Sequence, residues 1–483
     1  MKTRNLLFVT LMSLGVVTVS CKKKGCTDPT ATNYNSAAEK EDKKNPCTYD
    51  LTATEFTSTT VNGVENVTIT DKGNGIGTMT LTADKVWILN RLVFVNSGQT
   101  LTIEPGTVIK GKAGQGENAS ALIVSKGAKI NAAGTATNPI IFTAEADDLA
   151  GSVALNARGL WGGLIVLGDA KLNSSPGESA IEGIPTSEVR GLYGGSNDAD
   201  NSGTLQYISI RHGGTDIGAG NEINGLTLGG VGSGTTIEHI EIISNADDGI
   251  ECFGGKPQIK NIVISYCADD CFDYDEGFRG NVQFVLAFQD PNAGDRMGEH
   301  DGGTTPEDGA PYAHPFFYNA TYIGGGVTNA KRMLTFRDNA GGEYFNSIFL
   351  NQGKGIDVEK LGSGQDAYAR FVAGELKIAN NVFFDVVTTG VTATASDLFT
   401  ISFATGVTDA GETANFQASF ATNNNTVANP GIVLSPLNPV PSNAGNVSGA
   451  SIPTDGWFTI TTYQGAFDPT GSNWAAGWTL LFQ

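Results

Sequence analysis

Eight carboxylates fall between Asp247 and Glu276 in an arrangement that repeats. Asp247, Asp248 and Glu251 return 22 residues later as Asp269, Asp270 and Asp273, with Asp275 and Glu276 just beyond. If the repeat is structural, the two sets lie one strand spacing apart, about 4.8 Å. Like charges at that distance repel by roughly 1 kcal/mol in water but about 3.5 kcal/mol at an effective dielectric of about 20. An enclosed cluster therefore needs a cation, and carboxylate oxygens from several turns suit calcium. The expected ligands are Asp247, Asp248, Glu251, Asp269, Asp270 and Asp273. An exposed cluster needs none, because its Asp residues would shape turns through hydrogen bonds to their own backbone. Paired carboxylates can also act as general acid and as base or nucleophile at a glycosidic bond. Asp269 and Asp270 are the catalytic candidates on that reading.

The elements that must position these acids carry the same period. His239-Ile240-Glu241-Ile242 leads into the first acidic set, Asn261-Ile262-Val263-Ile264 into the second, and Gln283-Phe284-Val285-Leu286 opens a third copy. A fixed period of this length marks a repeat architecture. Stacking predicts inward ladders of Ile240, Ile262 and Phe284, and of Ile242, Ile264 and Leu286, with Val263 facing out. Strand alternation then places Ile250, Cys252, Phe272 and Tyr274 inside, and Glu251 and Asp273 outside. Short Val/Ile/Leu/Phe runs between Gly, Asn and Asp clusters from residue 86 onward, with 63 Gly and no long amphipathic pattern, read as all-β. The expected fold is a right-handed parallel β-helix over 86–483, preceded by an N-terminal strand or cap region at 51–85; a β-sandwich or propeller is the alternative. An open terminal coil exposes core and strand edge. Trp457, Phe458, Tyr463, Phe467, Trp474 and Trp478 are expected to supply an aromatic C-terminal cap.

Three further features bear on chemistry. Ala268-Asp269-Asp270-Cys271 resembles the Asp-Asp stretch of β-helix polygalacturonases, but only over four residues. The Gly-His-Gly and Arg-Ile-Lys elements of that family do not follow it, and Arg211-His212-Gly213-Gly214 lies upstream instead. A lyase would need a base near calcium, for which Arg279 is available. Residues 290–314, with Asp295, Arg296, Glu299, His300, Asp301 and His314, break the coil schedule and read as a functional loop on a rigid scaffold. The spacing of Cys267 and Cys271 permits a pair, leaving Cys252 free.

The body also resembles a family of secreted, pectin-lyase-like parallel β-helix lipoproteins of diderm bacteria. The resemblance rests on the stretch from Glu222-Ile223-Asn224-Gly225 through Leu228-Gly229-Gly230-Val231 to Thr235-Thr236, on the two Asp-Asp coils, and on Tyr463-Gln464-Gly465-Ala466-Phe467. It implies architecture, and fold alone does not fix activity.

The N-terminus places the chain. Lys2 and Arg4 precede an apolar run from Leu6 to Val19, shorter than the roughly twenty residues of a membrane-spanning helix. That is the form of a signal peptide, over residues 1–20. Thr18-Val19-Ser20-Cys21 resembles the lipobox of bacterial lipoproteins, although Thr18 stands where Leu is commoner. The resemblance implies lipidation of Cys21 and a lipid anchor in the cell envelope, at the outer membrane. In an oxidising compartment, Cys26 and Cys47 would form a disulfide that staples the 21–50 tether, a segment too small and polar to hold a core. From residue 51 the chain carries 22 basic and 45 acidic residues, a formal charge of −23. Binding to nucleic acid, which depends on Lys and Arg neutralising phosphates, is disfavoured. Cations, glycans or an envelope protein are the expected partners. The leading expectation is a binding, adhesion or structural role at the cell surface; the alternative is a calcium-dependent glycoside hydrolase or lyase.

Overall fold

The computed structural model describes residues 23–27, 33, 35–40, 42–45, 52–218, 221–303, 305–450 and 456–483. Cys21 and Cys47 lie outside the described residues. The chain divides into two compact units, Met1–Ala53 and Thr54–Gln483. In the first, Cys26 is buried and disulfide-bonded. A parallel bridge joins Lys24 to Lys40.

The second unit is a parallel β-helix whose coils each pass through three faces. Strand Thr236–Ile243 bends at His239, so Thr236–Glu238 lies in the first face and Ile240–Ile243 in the second; Ile250–Phe253 then forms the third. The bend is a left-handed residue (φ 56° at His239), repeated on neighbouring coils by Tyr207, Asn261, Phe284 and Asn319. A non-glycine residue in this region costs roughly 1–2 kcal/mol. Stacking offsets it: the Tyr207 and His239 rings lie 4.2 Å apart and nearly parallel.

Inward ladders fill the coil. One runs Ile208, Ile240, Ile262, Val285, Ala320, and another Leu228, Cys252, Tyr274, His300, Phe336, Val358. The register of the third copy differs from expectation by one residue. Four residues, Gly254 to Pro257, join Phe253 to Gln258, whereas five, Glu276 to Gly280, join Asp275 to Asn281. Phe284 is thereby shifted to the bend, and Val285 and Ala287 replace it and Leu286 in the ladders.

The stack begins upstream of residue 86. Strand Val64–Thr70 already pairs in parallel with Lys85–Leu89, and Glu55–Val61 folds back on it as an antiparallel edge. At the other end, helix Glu412–Thr422 packs Phe416 and Phe420 against Phe383 and Phe399. These aromatic residues close the last coils. The tryptophan-rich tail expected there instead runs along the flank. Trp474 and Trp478 meet the His239 ring, and Phe467 and Ala475 share an apolar cluster with Val263 and Leu286. Val263 faces out of the coil, as alternation requires, yet is fully buried under this tail. Among the described residues, no helix is long and apolar enough to cross a membrane.

Candidate functional site: the outer side of the third face

Strands of the third face stack from Leu92–Val95 to Phe399–Phe403. On their outer side one register position runs Thr227, Glu251, Asp273, Glu299, Thr335, Asp357, Thr400. This row, with the turns that precede its strands, divides into two halves of different electrostatic character.

The first half is the acidic cluster. One oxygen each of Asp248, Glu251 and Asp273 lie within 4.8 Å of one another, as do those of Asp247, Asp248 and Asp269. Asp248 Oδ1 accepts the backbone N–H of Asp270 at 2.8 Å, and Asp270 in turn accepts the backbone N–H of Arg296. The Asp-Asp turns are therefore built by hydrogen bonds between coils rather than within a turn. Asn224 donates its side-chain amide to Glu251. Asp273 Oδ1 is buried and accepts no hydrogen bond. No Lys or Arg among the described residues pairs with Asp248, Glu251 or Asp273. Burial first, and mutual repulsion second, push all three carboxyl groups well above the usual carboxylate range.

Enclosure comes from residues far away in sequence. The segment from Gly168 to Ser202 leaves the coil after Leu164–Leu167 and lies over the third face, where Leu172, Ile181, Ile184 and Tyr193 pack on Ile165, Leu167 and Phe253. The Tyr193 hydroxyl donates to Glu276 at 2.6 Å, and Asn173 donates its side-chain amide to the Gly302 carbonyl at 2.7 Å. Arg279 pairs with Asp198 of this segment (2.8 Å), not with the acidic cluster. The expected lyase base therefore sits elsewhere, and the arginine at the cluster is Arg296.

The second half is laced with cations. Arg296 lies 2.8 Å from Asp295, 3.1 Å from Glu299 and 3.4 Å from Asp270. Arg337 pairs with Asp301 (2.7 Å) and Glu299, Arg332 with Asp357 (3.1 Å), and Lys331 with Asp295 (3.0 Å). Arg296, Arg332, Thr335, Arg337, Glu359 and Ser402 line a concavity of about 280 Å³. Asp270 and the surrounding acids hold Arg296 above its ordinary value despite burial.

Several expected residues sit differently. Gly298–Asp301, expected in a loop, is a regular rung of the third face. Asp273 pairs with Glu299, 26 residues on, where the preceding rung pairs Glu251 with Asp273 after 22, and this offset and the long loop that follows hid the strand. His300 points into the core, fully buried against Tyr274 and 2.7 Å from the Tyr344 hydroxyl, so it faces no ligand. Cys252, Cys267 and Cys271 are all free and buried; Cys267 and Cys271 are not paired. Asp269 is exposed, whereas Asp270 is 1 % exposed and committed to Arg296. The two catalytic candidates therefore have unlike environments. Sequence reasoning missed Arg332, Arg337 and Asp357, whose signal was the outward position on rungs it did not trace.

No curated protein sequence matches the chain. Among solved structures, the Dettilon tailspike protein aligns with a TM-score of 0.28 and 9% identity, over 68% of this chain and 62% of that one. This chain therefore spans less than two thirds of the tailspike's length. A family model described as a pectate-lyase-like β-helix domain matches residues 32–479, nearly all of the coil stack and its tail included. With parallel coils, three faces and matching extent, the chain belongs to the pectate-lyase-like β-helix domain family.

Proposed function

We propose that this chain is a lipid-anchored envelope protein whose third face binds glycan, with calcium held by the acidic cluster. The observation that carries this reading is the adjacency of two features on one side of one sheet: Asp248, Glu251 and Asp273, with which no Lys or Arg among the described residues pairs, and an arginine-lined concavity. Asp248, Glu251 and Asp273 are the central ligands, with Asp247 and Asp269 at the more open end. Asp270 belongs to the same set by position, but its oxygens serve Arg296 first. Removing the metal leaves repulsion that burial amplifies. Planar guanidinium groups beside carboxylates and a threonine offer a sugar both donors and acceptors.

A second reading, a polysaccharide-active enzyme, draws on the exposed Asp269 beside the buried Asp270. Unequal environments are what an acid and base pair needs. Lyase chemistry is less well supported, because Arg296 is held protonated by three carboxylates and is a poor base.

The test is a glycan array probed with and without calcium, followed by product analysis on each hit. Binding lost on chelation, with no product, supports the binding role; product formation that Asp269→Asn abolishes would establish the enzyme instead. Retention of glycan binding in chelator would remove calcium from the reading. For the anchor, Cys21→Ala should release the protein from membranes, and membrane association of that variant would refute lipidation.

A further inference from the structure

The first strand of the coil stack is hydrogen-bonded on one side only. Strand Glu55–Val61 pairs with Val64–Thr70 in an unbroken antiparallel register, and with no other strand among the described residues. Asn62 and Gly63 join the two with φ of 51° and 83°, the left-handed pair of a two-residue type I′ turn. Such a turn makes Val61 and Val64 a hydrogen-bonded pair, so Val61, Thr59, Thr57 and Glu55 direct their backbone groups at the partner strand. The N–H and C=O groups of Phe56, Ser58 and Thr60 therefore point the other way, off the end of the second face.

All seven residues of this strand are exposed. Phe56, Val61 and Val64 are three of the ten large hydrophobic side chains left exposed among the described residues, and they gather in this one hairpin. Natural edge strands are blunted by lysine, proline, a bulge or a cover. The run Glu55-Phe56-Thr57-Ser58-Thr59-Thr60-Val61 has no lysine or proline, its register has no bulge, and its exposure shows no cover. The far end of the stack, by contrast, is closed by helix Glu412–Thr422.

The chemistry of the strand selects its occupant. An antiparallel copy of itself centred on Ser58 sets Ser58 opposite Ser58, Phe56 opposite Thr60, Thr57 opposite Thr59 and Glu55 opposite Val61. Each outward N–H and C=O then meets its complement. Aromatic with β-branched, and threonine with threonine, are among the cross-strand pairs that stabilise a sheet. Charge points to the same place. The body carries −23, so two copies repel over most of their surface. At this hairpin, however, Glu55 pairs with Lys72, Glu65 with Lys85 at 2.8 Å, and Asp71 with Arg190 at 2.8 Å. A second copy meets a locally neutral end.

We propose that strand Glu55–Val61 pairs edge to edge with the same strand of a second copy, joining the second faces of two coil stacks into one sheet about a two-fold axis at Ser58. The interface is isologous, so it consumes both free edges and stops at the dimer. It does not depend on the glycan reading of the third face.

The test is sedimentation equilibrium of the full chain in detergent over a range of protein concentrations. Wild type should pass from monomer to dimer; a monomer at every concentration would overturn the proposal and leave the edge to a strand of a different protein. Ser58→Pro removes one outward N–H from each copy and none of the bonds to Val64–Thr70, and should weaken the dimer at least tenfold. Should it disorder the hairpin, Ser58→Lys sets two ammonium groups facing each other at the axis and should weaken the dimer by as much; wild-type affinity in Ser58→Lys would refute the pairing. The two Ser58 Cα atoms would lie about 5.5 Å apart, within disulfide range. Ser58→Cys should therefore cross-link two copies under mild oxidation, and Asn62→Cys at the hairpin tip should not. Equal cross-linking of the two would refute the register.

Discussion

Asp248 Oδ1 accepts the backbone N–H of Asp270, the equivalent residue one coil on, at 2.8 Å. The side chain thus joins consecutive coils as well as contributing charge, and the two roles separate by substitution. Asp248→Asn retains an acceptor oxygen and should be neutral or stabilising without metal. Asp248→Ala leaves a buried N–H unpaired and should cost about 1–3 kcal/mol. Urea denaturation in chelator measures both, and equal losses would exclude the bridging role.

The same cluster sets a pH dependence. Asp248, Glu251 and Asp273 have folded-state pKa values raised by burial, so between the unfolded value near 4 and the raised value the folded state holds more protons. Their contribution is fully present below about pH 4 and is lost as pH rises through the folded values. The metal-free protein should therefore melt at a lower temperature at pH 7.5 than at pH 5.5, and saturating calcium should shrink the difference. A melting temperature that rises across this range in chelator would contradict the enclosed cluster.

Val263 and Ile262 face opposite ways from one strand, yet both are fully buried, one under the tail and one in the coil. Ile262→Asp and Val263→Asp should each cost several kcal/mol, because each buries an unpaired carboxylate. Trp478→Ala should cost about 3–5 kcal/mol by opening a cavity between the tail and the Tyr207 and His239 rings. A mild Val263→Asp would show that the tail does not cover the flank in solution.

Burial pushes the Cys267 thiol up to about 12 and those of Cys252 and Cys271 well above their usual range. Thiolate is the reactive species. Iodoacetamide at pH 8 should leave these three cysteines unmodified in the native protein and alkylate all three in guanidinium, as read by peptide mass spectrometry. Recovery of a Cys267–Cys271 disulfide would disprove the free-thiol state.

The coil was legible because its determinants are local and periodic. Ile240 and Ile262 stack as expected, and Cys252 and Tyr274 share a ladder. The period failed where one residue was added between Asp275 and Asn281, which strand alternation cannot detect without knowing the loop. The acids of the third face were also legible, since a repeat of 22 residues brings Glu251 beside Asp273. Their enclosure was not. It depends on Leu172 and Tyr193 folding back over a face assembled from later coils, a contact that no sequence period encodes. Val263 faces out of the coil as alternation predicts, but its burial was illegible for the same reason: alternation gives the direction of a side chain, not what a distant segment lays on top of it.

The tail has a consequence for how the molecule comes apart. A solenoid held only by neighbouring repeats can fray from its end, one repeat at a time. Here Gly465 bonds to Asn346, Ala466 to Thr321, Tyr463 to Asn319 and Thr459 to Gln283, while Glu241 accepts the backbone N–H groups of Leu480 and Leu481 at 2.8 and 2.9 Å. The last residues of the chain are thus laced across rungs that precede them by more than a hundred positions. Peeling the coil that carries Asn346 means unfastening the lace that also grips the coil of Glu241, so these middle rungs open as one block and the stack behaves there as a bound spine instead of a row of separable leaves.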